Sequence, residues 1–465
     1  MTISRSEPAT DEVGEPFEVN HRKVLAITLP MTLAFLTTPL LGMTDIAVIG
    51  RIGDAETLGG LVVGALVFDF VFAVCNFLRA GTTGLTAQAL GARRPREVEA
   101  VFFRAAILSL AIGLGLIVAE PLLMHLGLLA IAPGPNVAEA ASTYVFVRMF
   151  SAPFALTNYA ILGSVLGRGR SGLALVLQIV VNGTNIALSI LFGLVLGWGI
   201  TGVALGTICG EAAGCLAGLV VLARGFSAGR LPRLEEVFDW GGFRQMLGVN
   251  RDIMIRSFCL LAGFTLFTRL GAGFGPVTLA ANGLLMTIFM TGSYFLDGVA
   301  TASEQLAGVA VGARRRLAFD RTVSLTSLWG GFIAAALAAI ILIGGEALID
   351  FLTTDPDVRA AARIFLPWAA ATPIVGALAF VMDGIYIGAT WSRAMRDMMI
   401  LSLLVFVALG YALTPVFGNH GLWLALEVFL GLRGASLLAV LPRQRGRTFG
   451  PGPGAPAGTH STPAT

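Results

Sequence analysis

Apolar runs recur along this 465-residue chain from Val24 to Leu441, and most reach the ~20 residues that a helix needs to cross a bilayer core. A soluble fold would have nowhere to put so much apolar surface. Hydrophobic residues make up 56% and Asp, Glu, Lys and Arg only 13%, against about 45–50% and about 25% in soluble domains. The chain therefore reads as an all-α polytopic membrane protein. Twelve spans are expected, near 24–50, 58–80, 101–127, 137–165, 172–195, 199–223, 245–270, 276–300, 322–345, 359–388, 396–416 and 420–441. Inside them lie ionisable residues, and Asp45, in Gly42-Met43-Thr44-Asp45-Ile46-Ala47-Val48-Ile49-Gly50, is the most informative. A carboxylate in a membrane segment costs roughly 2.5–3.5 kcal/mol even on a lenient scale. An ion, a proton, a substrate or a buried partner commonly offsets that cost, so several such residues point to a transporter rather than an anchor.

The charges outside the spans alternate. One side carries Arg22 and Lys23, Arg93, Arg94 and Arg96, Arg168 and Arg170, Arg224, Arg230 and Arg233, Arg314 to Arg316 with Arg321, Arg393 and Arg396, and Arg443, Arg445 and Arg447. The opposite side mixes Arg51, Arg269, Arg359 and Arg363 with acids. The positive-inside rule puts both termini in the cytoplasm and predicts a multi-pass protein of the plasma (inner) membrane. Residues 1–20 are polar and acidic and lack a signal peptide's basic start and apolar run, so 1–23 is expected to form a cytoplasmic N-terminal segment. The four cysteines (Cys75, Cys209, Cys215, Cys259) have no metal-like spacing and read as packing residues.

The chain also repeats. Thr86-Ala87-Gln88-Ala89-Leu90-Gly91-Ala92-Arg93-Arg94 is echoed 221 residues later by Ala307-Gly308-Val309-Ala310-Val311-Gly312-Ala313-Arg314-Arg315. Arg51-Ile52-Gly53 and Phe77-Leu78-Arg79 are echoed 218 residues on, and Ile161-Leu162-Gly163 225 on. Two six-helix bundles follow, an N-lobe over 24–223 and a C-lobe over 245–441, related by a pseudo-two-fold axis along the membrane normal. A cytoplasmic linker, 224–244, joins them, and 442–465 reads as a disordered cytoplasmic tail.

Among the intramembrane residues, Asp45 follows Pro30 and Pro39, which permit a hinge in its helix. Burial disfavours a charged carboxyl, while a neighbouring arginine or Na⁺ favours it. Titration there competes with a static helix–helix hydrogen bond. Asn182 and Asn185 are one turn apart and share a face with Ser189; they suit either an ion site or polar packing. Asp69 lies mid-span. Asp297 and Glu304 are two turns apart on the eighth span, and Asp383 lies on the tenth. Arg79 stands at the repeat position of Asp297, and Arg256 is a cation in the seventh span. These charges serve a substrate cleft or neutralise one another. Met286, Met290, Tyr294 and Phe295 suit bulky organic ligands or plain packing. Arg148, Glu211, Glu427 and Arg433 read as structural or interfacial. Gly60 to Gly64 and Gly210 to Gly214 to Gly218 fit close helix approach.

The stretches Asp45-Ile46-Ala47-Val48-Ile49-Gly50, Phe77-Leu78-Arg79-Ala80-Gly81-Thr82-Thr83-Gly84-Leu85-Thr86-Ala87-Gln88 and Asn250-Arg251-Asp252-Ile253-Met254-Ile255-Arg256-Ser257 resemble the multidrug and toxic compound extrusion (MATE) family, in its DinF-type branch. Leu296-Asp297-Gly298-Val299-Ala300-Thr301-Ala302-Ser303-Glu304 and Met382-Asp383-Gly384-Ile385-Tyr386-Ile387-Gly388-Ala389-Thr390 extend the resemblance through both halves. It implies a cation-coupled antiporter exporting organic, amphiphilic or cationic compounds through a V of two bundles. In that family Asn, three residues, then Asp is usual on the fifth span; here Asn185 is followed by Ser189. The implied ion or proton site at Asp45, Asn185 and Asn182 thus lacks a carboxylate, which Asp69 could replace. H⁺ is favoured over Na⁺ as the coupling ion, and no other cofactor or metal is expected.

A lipid-linked saccharide flippase of the same architecture is the alternative, though its anionic substrates suit an arginine-dominated cleft. An enzyme is not expected, because His21, His125, His420 and His460 fall near ends or loops. With Lys23 as the lone lysine, no phosphate-binding Gly-x-x-x-x-Gly-Lys loop exists. The expected partners are small organic molecules and membrane lipid, with no nucleic acid, and the chain is expected to be a monomer.

Overall fold

Helix starts are written locally into the chain. Asn20 caps the first helix by accepting from the Lys23 N–H at 2.9 Å, and Asp54 caps the second by accepting from Thr57 at 2.8 Å. Four helices begin on a proline (Pro95, Pro135, Pro276 and Pro356), whose missing N–H would lack an intrahelical partner there anyway. The computed structural model describes residues 18–52, 54–225 and 231–450. Among them the helices are α1 (His21–Ile52), α2 (Ala55–Gly91), α3 (Pro95–Ile131) and α4, made of Pro135–Met149 and Ala152–Gly167 at a 54° bend. Then come α5 (Ser171–Val195), α6 (Gly199–Gly225), α7 (Trp240–Ala272), α8 (Pro276–Gly312), α9 (Arg316–Leu352) and α10 (Pro356–Gly388).

The last helical stretch, Ser392–Phe449, is 58 residues long, about 87 Å at 1.5 Å per residue, far more than a bilayer core. It breaks at Gly418, whose φ of 58° and ψ of −139° no helix allows. Trp391 Nε1 donates to Thr448 Oγ1 at 3.1 Å, so the chain folds back there into α11 (392–417) and α12 (419–449). The result is the expected all-α fold of twelve membrane-crossing helices.

The tail expectation needs correcting. Residues 442–449 are helical, because Phe449 packs on Phe319 and Arg445 donates to Asp320 at 2.9 Å. The remainder of the expected tail (451–465), residues 1–17 of the N-terminal segment and 226–230 of the linker lie outside the described residues. The linker itself carries a helical turn, Leu234–Val237, and α7 starts at Trp240, inside the expected linker. Arg104 on α3 holds that turn, donating to the carbonyls of Val237 (3.0 Å) and Glu236.

The repeat is visible in the backbone. Arg93 and Arg314, equivalent in sequence, both take left-handed φ, 55° and 51°, in the turns after α2 and α8. Beside those turns the lobes meet along glycines. A Cβ on Gly84 would strike the Ile387 carbonyl, one on Gly91 the Val309 carbonyl and one on Gly312 the backbone of Gln88. Gln88 Nε2 also donates across the seam to Gly388 O (2.9 Å) and Thr390 Oγ1 (3.0 Å). On the opposite side, the outer half of α1 (Thr38–Ile52) packs on α2, α5 and α6 of its own lobe. The lobes are thus sealed on the arginine-rich side and spread on the other.

The break at Gly418 sits in conformational space that only glycine enters cheaply, where another residue costs about 1–3 kcal/mol. Gly418→Val is expected to lower the thermal midpoint of the detergent-solubilised protein. Gly331→Ala, on a helix face with open space around it, should leave it unchanged or raise it. Equal midpoints for Gly418→Val and the parent would contradict the assigned turn.

Candidate functional site

Between the spread ends lies a cavity of about 360 Å³, lined by Asp45, Asp69, Tyr144, Arg148 and Asn185 of the N-lobe and by Tyr294 of the C-lobe. The helix that carries Asp45 is discontinuous. It divides at Thr37 into His21–Leu36 and Thr38–Ile52, just before Pro39, which has no N–H to continue the ladder. Pro30 sits inside the first half, about two turns before the break at Thr37. Asp45 is buried, and its Oδ1 has no hydrogen-bond partner among the described residues. Asp69, on α2, lies at the open rim.

Arg148 is the cation of this cavity. One turn after Tyr144 on α4, it donates to the Tyr144 hydroxyl, and its guanidinium lies 4.0 Å over the Phe68 ring. Gly60 and Gly64 of α2 admit α4 to this distance, since a Cβ on either would strike Ala140 or Tyr144. On α5, Ser189 Oγ donates to Asn185 Oδ1 at 3.1 Å, where the helix loosens into a π-turn, Ile190–Val195, a feature that recurs at functional sites. Asn182, on the same face, bonds a different partner. Its Nδ2 donates to Thr37 Oγ1 at 2.6 Å and ties α5 to the break in α1.

The C-lobe acids form a second cluster. Asp383 Oδ2 accepts from Arg433 Nη2 at 2.7 Å and from Arg256 Nη1 at 2.9 Å. Glu304 on α8 pairs with Arg79 of α2 at 3.7 Å, across the lobes, and its Oε1 has no partner among the described residues. Arg79 is steadied by Asn76 Oδ1 at 3.0 Å. Asp297 feels the charges of Arg79, Arg256 and Arg433 together. This cluster therefore sets three carboxylates against three guanidiniums. The Asp45 cavity sets two, Asp45 and Asp69, against one, Arg148.

The structure brings Asp45, Asp69, Asn185 and Tyr294 together, and separately Asp297, Glu304, Asp383, Arg79 and Arg256. Met286 lies apart, partly buried against the outer C-lobe core of Phe267 and Phe289. Two arginines that sequence reasoning set aside as structural, Arg148 and Arg433, belong to the clusters, as does Tyr144. Their signal was present, since each arginine lies in an apolar span. No group of three or more His, Cys, Asp or Glu residues among those described could hold a metal ion.

Comparison with known proteins follows the same outline. Residues 30–191 and 253–412, one stretch in each lobe, match a family model described as MatE. The DNA damage-inducible protein F of Escherichia coli (strain K12) is 36% identical over 426 residues, covering 90% of this chain and 91% of its own. A probable multidrug resistance protein NorM of Chromobacterium violaceum is 24% identical over 450 residues, covering 91% and 93%. Among solved structures, a MOP superfamily transporter from Pyrococcus furiosus matches with a TM-score of 0.83 at 18% identity, over 92% of this chain and 96% of that one. That likeness shows the fold.

Asp383 is the hub of its cluster, and removing one member of a buried ionic group costs about 3–5 kcal/mol. Asp383→Asn leaves Arg256 and Arg433 facing each other and is expected to lower stability by that order in denaturant unfolding. Adding Arg433→Gln should recover part of the loss. Additive losses in the double variant would show that the two side chains act independently.

Proposed function

The chain belongs to the MATE family of multi-pass membrane transporters, and we propose that it is a cation-coupled antiporter exporting organic, amphiphilic or cationic compounds by alternating access, with H⁺ rather than Na⁺ as the coupling ion. The observation that carries this reading is the unbalanced charge of the Asp45 cavity. A half-buried space with two carboxylates and one guanidinium attracts a cation, and an unpartnered carboxylate oxygen is a ready proton acceptor. Glu304 Oε1 in the C-lobe cluster is also without a partner among the described residues, but there three guanidiniums balance three carboxylates.

By the positive-inside rule the arginine-rich side is cytoplasmic, so both termini lie in the cytoplasm of a cell whose plasma (inner) membrane holds the protein. The cavity then opens outward, and protons reach Asp45 from outside. Protonation removes the charge that Arg148 faces across the cavity, and the break at Thr37 lets the outer half of α1 shift against α5. Tyr294 reports the occupancy of the N-lobe cavity to the C-lobe. Opening of the glycine seam would complete the switch, with the proton released inward and an organic compound taken up in its place. The chain acts as a monomer, its cleft being complete within one copy. A lipid-linked saccharide flippase fits less well, because its anionic substrates would meet a cavity with excess carboxylate.

In proteoliposomes, substrate-driven proton release by the parent is expected to be indifferent to Na⁺ and to weaken as the pH on the outward side rises. Asp45→Asn should reduce release at least about tenfold, or ~1.4 kcal/mol. Dependence on Na⁺ would move the coupling to sodium. Undiminished release by Asp45→Asn would overturn the assignment.

A further inference from the structure

Another N-lobe carboxylate, Glu211, lies outside the cleft. Glu211, on α6, accepts from Asn158 Nδ2 at 2.6 Å, and the same amide donates to the Glu211 backbone carbonyl at 2.9 Å. An ionised carboxylate in a membrane interior calls for a cation or several donors. Glu211 has one neutral amide. The titratable and charged groups that face it are Tyr159 on α4, Cys215 one turn along α6, and Arg148, whose guanidinium is already engaged by Tyr144 and Phe68. Gln178 faces it from α5 across a cavity of about 60 Å³. That volume holds a few waters at ~10–15 Å³ each, and Asn158, Tyr159, Gln178 and Glu211 supply the polar partners such waters require.

From this cavity a polar stripe runs along α5 to the cleft. Gln178, Asn182, Asn185 and Ser189 follow at spacings of four, three and four, so they share one helix face. Gln178 Nε2 donates to Asn182 Oδ1 at 3.1 Å, Ser189 donates to Asn185, and Asn185 lines the Asp45 cavity. α6 lies directly on this face because Gly206, Gly210 and Gly214 have no side chains there. A Cβ on them would strike Ser189, Asn185 and Val181 in turn.

The duplicated lobe supplies a contrast. Thr372 donates to Glu427 at 2.8 Å, on α10 and α12, where Asn158 and Glu211 sit on α4 and α6. Yet at the 221-residue offset that relates the arginine turns, the stripe becomes Met399, Leu403, Phe406 and Gly410. At that offset the face that is polar on α5 is apolar on α11.

We propose that Glu211 is a second proton-binding site, exchanging its proton with the Asp45 cavity through water, starting from the water of its own cavity, that the α5 amides orient but whose proton they do not themselves carry. The role in transport rests on the proton-coupled reading above, whereas the site itself does not.

Acid-minus-alkaline infrared difference spectra of the purified chain in lipid vesicles read protonated carboxyl groups directly. Glu211→Gln is expected to delete one titrating carboxylic C=O band and to keep the band that Asp45→Asn deletes. Retention of the Asp45 band shows that the variant is folded. Unchanged carboxylic bands in Glu211→Gln would overturn the site. Should that variant fail to fold, Asn158→Leu should move the Glu211 band in frequency without deleting it, and an unmoved band would count against the assignment. Asn182→Leu should slow deuterium exchange into the Glu211 band severalfold relative to the Asp45 band; equal rates would overturn the route. Both bands present without substrate-driven proton release would refute antiport and support the site.

Discussion

Charge placed inside a membrane has to be neutralised within the protein, and the two lobes meet that constraint differently. Around Asp383, Glu304 and Asp297, acids and arginines match in number, and Asp383 bridges Arg256 and Arg433 through short contacts while Glu304 meets Arg79 at 3.7 Å. Such a cluster gains little net energy over apolar packing, because desolvation consumes most of the attraction. What it supplies is fixed geometry between α7, α8, α10 and α12, with Arg79 pinning the N-lobe to it. Around Asp45 the match fails, and the shortfall faces a cavity. A duplicated scaffold has thus kept one lobe as a neutral frame and left the other with an unfilled charge.

The seam between the lobes complements that asymmetry. It consists largely of glycines set against carbonyls and small side chains, crossed by the Gln88 bonds and the Arg79–Glu304 pair. Small residues let helix backbones approach closely where no hydrophobic force drives them together. Shallow, weakly polar contacts of this kind can part as rigid surfaces, without repacking of either bundle. Because the seam closes at the arginine-bearing turns, the spread of the lobes is greatest at the far end, where Asp45 and Asp69 lie. The depth of the seam and the exposure of the cavity are one geometric fact.

Much of this was legible in the chain. Apolar length gave the spans, and the repeated Gly-Ala-Arg-Arg turns gave the two lobes, because a left-handed turn after a helix is a local matter. Asp45 stood out since an acid in an apolar run has few harmless explanations. What Arg148 and Arg433 touch was not legible, because a lone arginine in a span looks the same whether it braces lipid-side packing or reaches a distant acid. The bend in α4 and the Gly60 and Gly64 contacts decide the case of Arg148, and they are tertiary. Met286 shares a helix with Tyr294, but the two are eight residues apart, and α8 buries them in different surroundings. The extension of α12 to Phe449 depends on Trp391, Phe319 and Asp320, all remote in sequence.

The same distinction between local and tertiary facts bears on the coupling ion. The fifth helix offers Asn185 and Ser189, neutral oxygens that on paper suit Na⁺ as well as a protonated carboxyl. In the fold, however, Asn185 Oδ1 already accepts from Ser189, which leaves one of its two lone pairs for a further partner. Arg148 then brings a permanent positive charge into the cavity that a sodium ion would have to share. A proton needs a single lone pair on Asp45, and once bound it leaves no net charge on that carboxyl to oppose the guanidinium. Sodium would have to lie near a like charge, which is why the coupling proposed above is to H⁺.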